Sequence, residues 1–286
     1  MFTDYILLAV GLIWLTFATI YDFKTKEVPD WLSYSLILIG LSLRLTHYLL
    51  FNDFNFLIIG LISLAVFAVI GTSFYYLRQW GGGDAKLLMG LGITLASYPS
   101  FLLNVFSPDL RIPFMLTLLI NILFFGAVYG VIYIIIITLI KRKEIRNAKI
   151  SSYYNKKILI AGIILIALSF LIESKFAKLA VLIAVVLVLL VQNLFILVKF
   201  VEKVYMQRVI PIGKLTEGDW IVNDIRAHGK LIYSKKSPGI TKEQISIIKK
   251  TSIKSVLVRY GIEFVPAILI GVIISLVFGN ILVPEF

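Results

Sequence analysis

Asp22 and Asp84 are the residues whose type and setting point most directly to chemistry. Asp22 lies in Tyr21-Asp22-Phe23-Lys24-Thr25-Lys26-Glu27-Val28-Pro29-Asp30, where one long apolar run ends. Asp84 lies in Gly81-Gly82-Gly83-Asp84-Ala85-Lys86, where another begins. Acidic side chains at membrane depth are costly and mark functional sites by default. Two carboxylates brought close together do not both ionise readily, so one keeps its proton. The ionised member can take a proton from water while the protonated member polarises a scissile carbonyl. The helix-end positions assign these roles: Asp84, at a helix N-terminus, starts as base, and Asp22, at a helix C-terminus, as acid. Such a pair titrates as a unit.

Each aspartate also has a plainer reading. Asp84 is a good helix N-cap, and Asp22 reads as an interfacial charge balanced by Lys24 and Lys26. A carboxylate at a helix C-terminus is nevertheless disfavoured by the helix dipole, so something should compensate it. The glycine triplet adds a second argument. Three successive glycines cost roughly 1 kcal/mol each relative to alanine in a helix interior. They also permit close approach of another backbone. Irregular backbone at membrane depth persists only where protein buries it or a wet cavity receives it. Gly81 and Gly83 are therefore expected to admit an extended peptide and water beside Asp84.

Other hydrolytic chemistries fail on inventory. The chain has no cysteine and only two histidines, His47 and His228. Neither histidine starts the His-Glu-x-x-His pattern of a membrane zinc protease. A Ser–His dyad is poorly served, because His47 falls toward the opposite side and His228 in a soluble stretch. A Ser–Lys pair using Lys86 stays open on composition, but no serine motif points at it. No metal and no organic cofactor is expected.

The elements that position the two acids are apolar helices. The 286-residue chain is 59% hydrophobic, well above the roughly 45–50% of soluble domains, and its mean hydropathy is +0.96. A spanning helix needs about 20 mostly apolar residues. The runs 5–21, 32–50, 56–77, 85–104, 112–140, 158–172, 177–198 and 262–283 satisfy or approach that length. Residues 5–21 read as the first span and not as a cleaved signal, since Asp4 stands where a basic region would be. All but Arg44, Arg111, Lys175 and Lys178 of the 28 basic residues fall in the connections on one side. By the positive-inside rule that side is cytoplasmic, with both termini outside. Asp22 and Asp84 then share one cytoplasmic rim. The net charge of +12 follows from this topology and also suits anionic lipid headgroups; nucleic-acid binding has no support beyond the charge.

Residues 200–258 are the one sizeable soluble stretch. Apolar–polar alternation in Arg208–Leu215 and Asp219–Ser234, with His228-Gly229 as a turn, predicts short strands. Thr241 with Gln244 three residues on predicts a capping box opening a helix through Ile248. The expected fold is an all-α polytopic membrane protein of about eight transmembrane helices, with a small cytoplasmic strand-plus-helix insertion before the last. Residues 1–105 form the four-helix core with both aspartates and 106–199 further helices. Residues 200–258 form the soluble segment and 259–286 the last span.

At these residues the chain resembles the type IV prepilin peptidase group of GxGD aspartic proteases, in particular its archaeal preflagellin peptidase branch. Gly81-Gly82-Gly83-Asp84 matches the Gly-x-Gly-Asp element, with Lys86 where that family often carries a lysine. The stretch from Asp22 through Lys26, Val28, Pro29 and Asp30 matches the first-aspartate loop. Gly261-Ile262-Glu263-Phe264-Val265-Pro266-Ala267 resembles the proline-containing final span, and the stretches around Trp220 and Gln244 resemble archaeal members. Residues 112–198 carry no recognisable motif.

The resemblance implies removal of short class III-type signal peptides from archaellin or type IV pilin precursors at the cytoplasmic membrane face, with Asp22 and Asp84 catalytic. It implies no cofactor, and without cysteine no methyltransferase activity. Substrates of this kind usually carry a basic residue near the cut, which Glu263, Glu27 or Asp30 could receive. The alternative is a non-proteolytic transporter or pilus/archaellum assembly subunit. A transporter would be expected to show internal repeats and acids near mid-membrane, whereas here the acids sit at one rim.

Overall fold

The computed structural model describes residues 2–147, 156–169, 174–227 and 229–282. The apolar runs form helices. Those most relevant to the site are α1 (Phe2–Thr25), α2 (Asp30–Phe51), α3 (Phe54–Tyr76), α4 (Gly82–Thr94) and α5 (Phe114–Ile140). Further along come α6 (Arg142–Asn147), α7 (Lys156–Ser169) and α8 (Lys175–Val201). Among the described residues, five helices are long and apolar enough to cross a membrane: α1, α2, α3, α5, and α8 continued by a π-helical turn to Met206. α7 is apolar but shorter. Large apolar side chains such as Phe17, Leu38 and Val69 stay exposed on these helices, as lipid-facing surfaces require.

Two expected spans came out shorter. The run 85–104 yields only the 13-residue α4, followed by a 3-10 turn at Ser100–Asn104. Pro99 lacks an N–H and pushes the preceding residue out of the helical region, so the helix cannot run through. The run 262–283 yields α10 (Val265–Phe278), which starts with Pro266 in its first turn and stops at Gly279, where φ is +70°. In the run 158–172 the helix ends at Ser169, and residues 170–172 lie outside the described residues.

The chain divides into two compact units. The first comprises residues 1–130 and 209–286. Within it α4 is the most enclosed helix, with Ala85, Leu87, Leu88, Leu91 and Ile93 buried between α2 and α3. Gly71 of α3 permits this, since a Cβ there would come within 2.9 Å of the Ala85 carbonyl oxygen. Such small residues let membrane helices approach backbone to backbone. The main core joins α1, α2, α3, α4, the start of α5 and α10 through Leu15, Leu36, Phe67, Leu91, Leu118 and Ile268.

The same unit holds a small strand-and-helix module. Its strands are β1 (Gln207–Pro211), β2 (Trp220–Ile221), β3 (Ile225–Ala227), β4 (Lys230–Tyr233) and β5 (Ser255–Arg259). They form a three-stranded sheet in the order β1-β5-β2 and a β3–β4 hairpin. β2 pairs antiparallel with β5, Trp220 opposite Arg259. Thr241 caps α9 (Lys242–Lys249) as its spacing predicts: Gln244 N–H donates to Thr241 Oγ1 at 3.3 Å, and Thr241 N–H to Gln244 Oε1 at 3.0 Å. Gly229 has the positive φ of a turn, while His228 lies outside the described residues. β5 was not expected; its short Ser-Val-Leu-Val-Arg run sits close to an apolar helix and carries no turn signal of its own.

The second unit, residues 131–208, contains the end of α5, an α7–α8 hairpin and a cluster around Ile137, Phe200 and Val201.

Candidate active site

Asp22 lies in the last turn of α1 and is buried. The compensation its position demands comes from another helix: Val265 N–H, the first of α10, donates to Asp22 Oδ2 at 2.9 Å, with the Phe264 amide beside it. A helix N-terminus thus meets the carboxylate that its own helix disfavours. α1 ends at Lys26, whose N–H donates to the Asp22 carbonyl at 2.8 Å. Lys26 adopts φ +60°, the left-handed conformation favoured by glycine. Its ammonium sits 2.9 Å from Glu263 Oε1, both side chains largely buried.

Asp84 is half-buried at the third position of α4, not ahead of the helix, so it is not the N-cap; Gly81 is. Asp84 still caps, because Gly81 N–H donates to its Oδ2 at 3.2 Å. This is the acidic half of a capping box. Gly83 lies directly against the first-aspartate loop. A Cβ at Gly83 would come 2.6 Å from the Val28 carbonyl oxygen and 2.9 Å from Val28 Cβ. Only glycine allows the two loops to touch there. The charge of Asp22 reaches Asp84 across this contact.

Around the pair, Trp80 stacks on Phe74 with ring centroids 4.6 Å apart and meets Phe264 at 5.2 Å. Tyr129 of α5 lies within electrostatic reach of both Asp22 and Glu263. On the rim, Lys86 Nζ bonds Asp30 Oδ1 at 2.6 Å and lies over the Tyr34 ring. The strand-and-helix module touches both loops: Asp219 acts on Glu27, and the Tyr233 hydroxyl meets Arg78 just ahead of the glycines. Burial of the Glu27 carboxyl, reinforced by Asp219, raises its pKa above the usual carboxylate value.

The structure therefore brings together Asp22, Asp84, Gly81, Gly83 and Glu263, from three separate stretches of chain. Two sequence arguments need correcting. Glu263, expected to be open to a basic substrate residue, is largely buried and already paired with Lys26. The N-terminus of α10 also faces Asp22, so both carboxylates meet helix N-termini. The helix-end argument that made Asp84 base and Asp22 acid is then balanced out. Trp80, Tyr129 and the ring of Phe264 escaped the sequence reading as site residues; Tyr129 is one of two tyrosines in α5, and no local signal separates it from Tyr133. His47 lies elsewhere, 2.9 Å from Thr3 Oγ1 and 3.9 Å from Asp53. Among the described residues no group of three or more His, Asp or Glu is placed to hold a metal ion.

The profile of the type IV leader peptidase family matches residues 9–135, a stretch that contains both aspartates and Tyr129. It reaches into the part of α5 that carries no motif, and it stops short of the module and α10. A preflagellin peptidase of Methanocaldococcus jannaschii is 35% identical over 89 residues, 31% of this chain and 38% of that protein. Preflagellin peptidases of Methanococcus voltae and Methanococcus maripaludis are 36% and 29% identical over 91 and 104 residues, 32% and 36% of this chain. The matches span 38% and 42% of those two proteins, so the chain covers well under half the length of these curated relatives. No solved structure matches it. The resemblance to preflagellin and prepilin peptidases is therefore found, and it lies where the aspartates are.

Proposed function

We propose, from the type IV leader peptidase match over residues 9–135 and the aspartate pair within it, that this chain is a membrane-embedded aspartic endopeptidase. Its substrates are archaellin or type IV pilin-like precursors, from which it removes short class III-type signal peptides at the cytoplasmic membrane face. The observation that carries the reading is that Asp22 and Asp84, from different helices, lie within electrostatic reach of each other, with their two loops in contact at Gly83 and Val28.

In this reading the pair works as one unit. Each aspartate has Oδ2 engaged by a backbone N–H, from Val265 or Gly81. The ionised member takes a proton from water, and the resulting hydroxide attacks the scissile carbonyl carbon. The protonated member donates to the carbonyl oxygen, giving a neutral tetrahedral diol. The newly protonated carboxyl then gives its proton to the leaving nitrogen while the other carboxylate takes one from a diol hydroxyl, so the C–N bond breaks, the new carboxylic acid forms and the pair again holds a single proton. Gly81, where a side chain would face Asp84 Oδ2, leaves room for an extended substrate backbone beside Asp84, while the space at Gly83 is taken by Val28. A basic residue of the substrate would compete with Lys26 for Glu263.

Co-expression with a prearchaellin or prepilin tests the reading. Wild type is expected to shorten the precursor, and Asp22→Asn and Asp84→Asn to leave it intact. Full cleavage by either variant would sink the proposal.

A further inference from the structure

Asp22 and Asp84 sit on different helices, so their separation depends on whatever non-covalent contacts span them. The Gly83–Val28 contact is one such link. A second runs through Phe264, in the connection between β5 and α10. The backbone of Phe264 and Val265 faces Asp22, with Val265 N–H 2.9 Å from Oδ2. The Phe264 ring meets Trp80 at 5.2 Å. Trp80 immediately precedes Gly81, whose N–H holds Asp84 at 3.2 Å. From the other side the ring is braced by α5: a Cβ at Gly126 would come 2.5 Å from Phe264 Cζ and 3.0 Å from Cε2.

One residue therefore touches both aspartate supports, the first through its backbone and the second through its ring. Its ring can move neither toward α5, where Gly126 fits it closely, nor toward Trp80, which is buried and stacked on Phe74.

We infer that Phe264 is a positioning residue that sets the spacing of Asp22 and Asp84 by bracing Trp80 against α5 while its own backbone carries the amide that holds Asp22. The inference rests on the peptidase reading above. It makes the entry of α10 part of the catalytic machinery, beyond the residues that the family match covers. The competing role, ordinary core filling, would lower stability without altering turnover per folded molecule.

Two substitutions displace the ring in opposite ways without touching either carboxylate. Phe264→Ala removes it, and Gly126→Ala pushes it from the far side. Displacements on the order of 1 Å at a catalytic group cost about a hundredfold in rate. Purified protein in detergent, with turnover normalised to the monodisperse fraction, is assayed on a full-length precursor. Both variants should lose between about tenfold and a hundredfold in kcat, with KM unchanged within about twofold. Phe264→Leu introduced into Gly126→Ala should recover much of the loss, because the shorter side chain relieves the contact. Should Phe264→Ala fail to fold, the Gly126→Ala result and its rescue decide alone. Wild-type kcat in Gly126→Ala, or an equal loss with no rescue, overturns the inference. Asp84→Asn in the same assay separates the two levels. If it is inactive while Gly126→Ala is normal, only the role of Phe264 falls; if it cleaves, the peptidase reading falls and this role with it.

Discussion

At the N-terminal end of α4 two carboxylates meet backbone N–H groups; near its C-terminal end a guanidinium meets backbone carbonyls. Arg44 of α2 is fully buried there. Its Nε donates to the Ile93 carbonyl at 2.6 Å, its Nη1 to the Phe56 carbonyl at 2.6 Å, and its ring neighbour is Phe56 at 4.4 Å. Both arrangements suit the dipole of α4, positive at the N-terminus and negative at the C-terminus. They differ in what the charges do to each other. Arg44 stands among hydrogen-bond acceptors, and the charge that acts on it, Asp4, is of opposite sign. Asp22 and Asp84 are two acids within electrostatic reach of each other, and like charges so placed disfavour joint ionisation. Burial alone therefore does not set the two aspartates apart in this molecule. Like-charged company does.

The largest effect is expected where the acidic end is pried apart. Gly83→Ala places a methyl against the Val28 carbonyl and should lower kcat by about a hundredfold, measured on precursor cleavage. Breaking the basic end should do something else. Arg44→Met removes the donor to the buried Ile93 carbonyl and should lower stability by about 1–3 kcal/mol. Thermal unfolding in detergent would report that, with kcat per folded molecule unchanged. A large kcat loss from Arg44→Met would erase the contrast between the ends.

Smaller effects sharpen the acidic end. Glu263→Gln removes the partner of Lys26 and should weaken processing of substrates with a basic residue at the cut by about tenfold or less, at the scale of one exposed-to-buried ion pair. Equal processing of basic-site and neutral-site precursors by the variant and wild type would discard that role. Lys26→Gly removes the same pair but relieves a left-handed backbone worth about 1–2 kcal/mol, so its stability should change little.

The smallest effect concerns Glu27, whose carboxyl is raised by burial and by Asp219. A raised acid binds its proton more tightly folded than unfolded, so its ionisation subtracts stability as pH rises through the usual carboxylate value. Glu27→Gln should therefore be slightly more stable than wild type at neutral pH, and the difference should vanish in acid. A difference that grows in acid would contradict the sign.

Legibility in the sequence followed locality. The positions of both aspartates, the glycines, the apolar runs and the Thr241 capping box are local patterns, and the helices and α9 lie close to where they predict. Glu263 and Phe264 were visible as letters, yet not as partners of Lys26 and Trp80, because those contacts join stretches more than a hundred residues apart. The short α4 was missed although Pro99 marks it. Apolar length overruled a local stop signal. Arg44 was read as a charge near the far side of the membrane, and nothing local foretold that two helix carbonyls would enclose it. The helix-end argument for acid and base loses its force for the same reason: the N-terminus of α10, which also faces Asp22, arrives from the far end of the sequence.

The most direct test of the central claim is a turnover cycle with Asp22→Asn, Asp84→Asn and the double variant on one precursor. Residues that act as a unit are grossly non-additive. The account predicts that each single variant loses as much as the double, leaving no more than background cleavage. Substantial cleavage by either single variant, or losses that multiply in the double, would contradict a single catalytic pair.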